Sequence, residues 1–146
     1  MLLLAPQLPA RLINIQHIGS TAVPGLAAKP VIDILAGVVS MAAARALVAP
    51  LCTQGYTASA EFNATLVDRQ WLMRWAEGHR SHHLHLVVHG AEVWTQRLRF
   101  RDALRTDAAL AARYAALKAE LAARYPNDRE AYTEGKAAFV RSVCEG

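Results

Sequence analysis

The stretch His17-Ile18-Gly19-Ser20-Thr21-Ala22-Val23-Pro24-Gly25-Leu26-Ala27-Ala28-Lys29-Pro30-Val31-Ile32-Asp33-Ile34 decides the fold. Asn14 to Ile18 reads as a strand that ends at Gly19-Ser20. Val31 to Val38 reads as a second strand, so continuously apolar that it calls for burial on both faces. The intervening loop has features that suit an anion. Gly19 lets a phosphate come close to backbone N–H groups. Ser20 and Thr21 add hydroxyl donors, and Lys29 supplies a point charge. Asp33 is a carboxylate inside an apolar strand, where an unpaired charge is costly. It therefore calls for a metal, a cation or strong hydrogen-bond donors.

Outward from this stretch, Met41 to Cys52 forms an alanine-rich helix stopped near Gly55, and Tyr56 to Ala60 reads as a short strand. Gln70 to Trp75 is a strand with Trp71, Met73 and Trp75 on one face, and His82 to Val88 is another, closed by Gly90. Three helices follow. The first runs from Glu92 to Arg105. The second starts at Thr106 or Asp107 and carries Leu110, Tyr114, Leu117 and Leu121 on one stripe. Pro126 ends it, and Asn127 with Glu130 makes a capping box for the third. Strands interleaved with a helix, then three consecutive helices, predict an α+β fold. With no linker or repeat, residues 1–146 read as a single domain.

Composition narrows the class. Of 146 residues, 53% are hydrophobic and 19% charged, which excludes a disordered chain. The net charge of +4 comes from arginine, since only 3 of the 16 basic residues are lysine. That balance permits a phosphate-bearing partner without demanding one. The arginines are not interleaved with aromatics on one face, which weighs against a nucleic-acid polymer. Cys52 and Cys144 make no disulfide framework and have no motif partner, so a reducing compartment is the simpler reading. No run reaches the length of a membrane span, and the opening Met1-Leu2-Leu3-Leu4-Ala5-Pro6 is too short for a signal core. A cytoplasmic location is the expectation.

The pattern of Gly19-Ser20 followed by Asp33 on a second strand resembles the nucleotidyltransferase superfamily. The full string HIGSTAVPGLAAKPVIDI is similar to the signature of the GrpB family. So are His82-His83-Leu84-His85-Leu86-Val87-Val88, Leu98-Arg99-Phe100-Arg101-Asp102, and the segment from Asp128 to Lys136. Together these reach across nearly the whole chain from His17. The resemblance implies a nucleotidyltransferase-like mixed sheet backed by helices. It also implies a relation to the domain fused behind some dephospho-CoA kinases, although no kinase P-loop is present. Relatives of this kind carry a longer N-terminal segment with a helix. Here only Met1 to Ile13 precede the first strand, interrupted by Pro6 and Pro9, so either the start is truncated or misassigned or the helix is lost; its loss would expose part of the sheet and favour a partner or self-association.

In an active nucleotidyltransferase, Gly-Ser holds phosphate and paired acids hold two Mg²⁺ ions. Carried over, Gly19 and Ser20 match the phosphate loop and Asp33 matches the first, catalytic acid. The second acid falls at Leu35, which cannot hold a cation. His83 and His85 share a strand face and stand where a third carboxylate would be expected. With Asp33 they make a two-histidine, one-carboxylate set, better suited to Zn²⁺, Mn²⁺ or Ni²⁺ than to Mg²⁺. Arg97, Arg101, Arg129 and Lys136 are candidates for an electropositive wall. Tyr132, on the same helix face as Lys136, is a candidate to stack on a base. His17 reads as a core histidine, and the three tryptophans read as core. Two functions follow. One is an enzyme that binds a nucleotide or another phosphorylated small molecule on Gly19, Ser20, Thr21, Lys29, Arg101, Tyr132 and Lys136, with a divalent metal on Asp33, His83 and His85. The other is a catalytically inactive module that binds a ligand or a protein partner, and Leu35 favours it.

Overall fold

The computed structural model describes residues 12–23 and 31–145. Among these, β1 (Ile15–Ile18), β2 (Ile32–Val38), β3 (Gln70–Ala76) and β4 (His79–Val88) form one sheet in the order β1-β2-β4-β3. The central pair β2/β4 is parallel, and both edge strands run antiparallel to their neighbours. The helices are α1 (Met41–Thr53), α2 (Ala60–Ala64), α3 (Glu92–Thr106), α4 (Ala108–Arg124) and α5 (Arg129–Glu145). A short 3-10 turn, Ser20–Ala22, follows β1. This is the α+β arrangement expected.

The apolar β2 is buried on both faces because it lies inside the sheet. Ile34, Ala36 and Val38 face α1, where they join Leu72, Leu84 and Leu86 against Ala44, Leu47 and Leu51. The leucines of this layer are fully buried, each contributing about 1.5–3 kcal/mol. Leu35 points the other way and packs with Ile18, Val87 and Trp94, which seats α3 on the opposite face. Beyond it, Val23, Leu104, Leu110 and Tyr114 hold the three C-terminal helices together, with Phe100 and Phe139 packed alongside. Tyr114 stacks on Phe139 and meets Phe100 edge-on.

Several local expectations need correction. Residues 56–60 are not a strand. Only Thr57 bridges to β3, exchanging backbone hydrogen bonds with Met73 at 2.7 and 2.8 Å. The Ser59 hydroxyl then accepts from the Phe62 N–H and starts α2 instead. Strand β4 begins earlier than His82, because Glu77 and Gly78 both adopt positive φ and make a tight turn that pairs Ala76 with His79. Asp107 caps α4, as one of two candidates. Asp128 caps α5, displacing Asn127, since its carboxylate accepts from the Ala131 N–H. His17 is exposed on edge strand β1, with its Nε2 2.8 Å from the Thr21 hydroxyl, so it is no core residue. Of the tryptophans, Trp94 is buried, Trp71 half-buried and Trp75 exposed.

Candidate functional site

Strand alternation assembles the site. Asp33 and Leu35 share a face of β2, and the parallel register places His83 beside Asp33 and His85 beside Leu35 on β4. The side chains converge. His83 Nδ1 lies 3.2 Å from Asp33 Oδ1, and His85 Nε2 lies 3.7 Å from the same oxygen. A carboxylate only accepts, so the nitrogen of His83 facing it carries the proton. That leaves His83 Nε2 as the lone-pair nitrogen. It is buried without a hydrogen-bond partner, as is His85 Nδ1. Trp71 meets the His83 ring edge-on.

Burial dominates the electrostatics. It pushes His85 down to about 4, against the raising effect of the Asp33 hydrogen bond, while the charges of Arg97 and Arg69 lower it further. His85 is therefore neutral at physiological pH. Burial also pulls Asp33 upward, but hydrogen bonds and charge from His85 and His83 outweigh it, leaving Asp33 below the ordinary carboxylate range.

Gly19 closes over this carboxylate. Its φ is +80°, and a Cβ there would stand 2.5 Å from Asp33 Oδ2. The glycine thus lets the chain turn directly above Asp33. Thr21 clasps the loop, meeting His17 Nε2 and donating to the Val31 carbonyl at 3.4 Å. Ser20 lies in the 3-10 turn, and Lys29 lies outside the described residues.

A cavity of about 630 Å³ opens above Asp33, His83 and His85. Gly19 forms part of its rim, and α3 and α5 supply Arg97, Arg101, Lys136 and Arg141 from the other side. Four cations thus face two carboxylates, Asp33 and Glu92. The cations are not equivalent. Arg101 pairs with Asp102 at 2.8 Å and donates to the Gln16 side chain and the His17 carbonyl, so it also ties α3 to β1. Arg141 pairs with Glu134. Lys136 lies over the Tyr132 ring at 5.3 Å. Tyr132 does not itself line the cavity, and Arg129 does not either. Arg97 and Arg101, one helical turn apart, place like charges on one face, which costs α3 about 0.2–0.5 kcal/mol.

The structure therefore brings Gly19, Asp33, His83, His85, Arg101 and Lys136 to one cavity and sets Thr21 and Tyr132 beside it. Arg97 belongs there with them. Gln96, Tyr114, Thr133 and Arg141 also line it; Thr133 lies in the family-like segment Asp128 to Lys136, and no motif marked the other three. Leu35, on the Asp33 face, is fully buried under Trp94. An apolar side chain thus occupies the position two residues after Asp33 on this face. His83 is spaced to hydrogen-bond Asp33, and His85 stands 3.7 Å from the same carboxylate. Among the described residues, no group of three or more His, Cys, Asp or Glu side chains stands ready-made to hold a metal ion. No helix among them is long and apolar enough to cross a membrane.

Comparison with known proteins agrees with the resemblance in the sequence. The chain is 35% identical over 134 residues to the UPF0157 protein YqkA of Bacillus subtilis, an alignment that takes in 92% of this chain and 38% of that one. It is 33% identical to a dephospho-CoA kinase of Mycolicibacterium paratuberculosis, over 91% of this chain and 38% of the kinase. It thus spans little more than a third of either protein. The crystal structure of GrpB from Enterococcus faecalis superposes with a TM-score of 0.73 at 33% identity, covering 92% of this chain and 79% of that one. The sequence model of the GrpB protein family matches residues 3–146, and this chain belongs to that family.

Proposed function

We propose that the cavity binds a phosphorylated small molecule, nucleotides included, and presents its phosphorus to Asp33 and His83. One observation carries this reading. A single cavity joins the Gly19–Asp33–His83–His85 floor, contributed by the sheet, to the cationic wall of Arg97, Arg101, Lys136 and Arg141, contributed by the helices. Asp33 fixes the His83 ring so that Nε2 is an oriented base. An attacking hydroxyl gives its proton to that nitrogen as its oxygen bonds phosphorus and the bond to the leaving oxygen breaks. The cations take up the charge that grows on the phosphoryl oxygens.

A divalent metal held by Asp33, His83 and His85 is the companion proposal, supported by two imidazole nitrogens meeting one carboxylate oxygen. It would supply Lewis-acid activation of the phosphoryl group, and the hydrogen bonds now made to Asp33 would give way to it. The second reading is a catalytically inactive module that binds a ligand or a protein partner, and the buried Leu35 favours it. The likeness to a dephospho-CoA kinase makes an enzyme of coenzyme A synthesis the partner to try first.

The test is calorimetric titration of tag-free protein with ATP, ADP and AMP, with and without Mn²⁺, alongside metal analysis. The expected result is saturable binding of at least one nucleotide, weakened about tenfold by Lys136→Ala. Absence of binding by every phosphorylated compound would overturn the reading. About one metal per chain, lost in His83→Ala/His85→Ala, would support the metal. None after adding Mn²⁺ or Zn²⁺ would remove it. Binding that is unaffected by Asp33→Asn, with no turnover, would favour the inactive module.

A further inference from the structure

We infer that Arg69 and Arg97 form an anion-binding subsite beside His85, which grips a phosphoryl group of the ligand. This deepens the reading of the cavity and rests on it. Three observations meet here. First, Arg97 lines the cavity from α3 and, among the described residues, makes no hydrogen bond or ion pair, unlike Arg101 and Arg141 on the same wall. Burial holds its pKa below the ordinary guanidinium value, and the charge of Arg69 pushes in the same direction. A half-buried guanidinium with no protein partner is poised to take an anionic ligand.

Second, Arg69 approaches from the sheet, on the face that α3 covers, although it is not among the residues lining the cavity. It immediately precedes β3 and lies two residues before Trp71, the residue that pairs with His85. Alternation puts the Arg69 and Trp71 side chains on one face. Nη1 of Arg69 is 3.2 Å from Asp68 Oδ1, but its Nε is buried and has no partner. One donor edge of this guanidinium therefore remains unused.

Third, the charges of Arg69 and Arg97 oppose each other. Asp33 and Asp68 pull back from a distance, yet neither pairs with Arg97. The local surplus of positive charge, with unmet N–H donors, matches a tetrahedral dianion. A phosphoryl group offers enough acceptor oxygens to satisfy two guanidiniums at once. Arg69 carries no motif that would have marked it.

The experiment is titration of inorganic phosphate, and separately acetate, into wild type, Arg69→Gln, Arg97→Gln, Arg97→Lys and Lys136→Ala. Thermal melts check that each variant is folded. Phosphate affinity is expected to fall at least tenfold in both glutamine variants, and partly in Arg97→Lys, which keeps the charge but loses the bidentate fork. Lys136→Ala is expected to lose less than either. If wild type binds phosphate and folded Arg69→Gln and Arg97→Gln bind it equally well, the subsite is overturned while the cavity reading survives. If acetate binds as tightly as phosphate, the phosphoryl assignment is overturned. If wild type binds neither phosphate nor any nucleotide, the cavity reading falls and the subsite falls with it.

Discussion

Gly19 ties the loop to the chemistry more directly than any other residue. A methyl group there would overlap Asp33 Oδ2, on a backbone that side chains rarely adopt. Gly19→Ala is expected to cost about 1–3 kcal/mol and to displace the carboxylate, so the melting temperature and ligand affinity fall together. A variant that melts lower yet binds normally would separate the two effects. Asp33 and His85 make a pH prediction. Both have lowered pKa values in the folded protein, so in each case the unfolded chain takes up protons first as pH falls. His85 contributes stability that is complete above its unfolded value near 6.5 and is lost as pH falls toward about 4. Its share is up to about 3 kcal/mol, and Asp33 adds a loss in the same direction at lower pH. Melting of the metal-free protein at pH 7 and pH 5 should show this drop, and His85→Phe should flatten it. An unchanged slope in that variant would contradict the assignment. The sequence already pointed to Asp33, because a charge in an apolar strand needs partners. The partnership with His83 was legible as shared strand face, but not the neutrality of His85, which arises from burial that no local pattern encodes.

At the scale of elements, edge strand β3 shows how the fold protects its exposed side. The short helix α2 aims Asn63 at it. The Asn63 amide donates to the Trp71 carbonyl at 3.1 Å, and its oxygen accepts from the Trp71 N–H at 2.9 Å. This side chain stands in for a neighbouring strand. Asn63→Leu is expected to cost about 1–3 kcal/mol, visible as a lower denaturant midpoint, and to raise aggregation through the uncovered edge. Sequence reading placed a strand near here because Tyr56 and Thr57 favour one. Capping by Ser59 overrode that preference, and a single backbone bridge at Thr57 is all that remains. The α4–α5 contact has its own requirement. A Cβ at Gly135 would come within 2.7 Å of the buried Leu121 side chain. Gly135→Val is expected to destabilise by about 1–3 kcal/mol through overpacking. It should also weaken ligand binding, because Lys136 and Arg141 on α5 would move away from the cavity. A neutral melting temperature would show that the helices part without cost.

For the whole molecule, the division of labour is simple. The sheet fixes Asp33, His83 and His85 by register, and the C-terminal helices bring the cations to them. The α+β class was legible because periodicity changes along the chain, and the family followed from HIGSTAVPGLAAKPVIDI. The cavity was only partly legible. Arg101, Thr133 and Lys136 lie in recognisable segments, whereas Gln96, Tyr114 and Arg141 become cavity neighbours only when the C-terminal helices pack over the sheet. Leu35, fully buried two residues after Asp33, adds no second acid on that strand face. The cavity offers two carboxylates, Asp33 and Glu92, two imidazoles and a wall of guanidinium and ammonium groups. The most direct measurement of that account is the affinity of the tag-free protein for ADP, followed calorimetrically in wild type and in folded Arg97→Gln. The account predicts saturable binding at one site per chain and a loss of at least tenfold in the variant. No binding to wild type, or equal binding to both proteins, would contradict it.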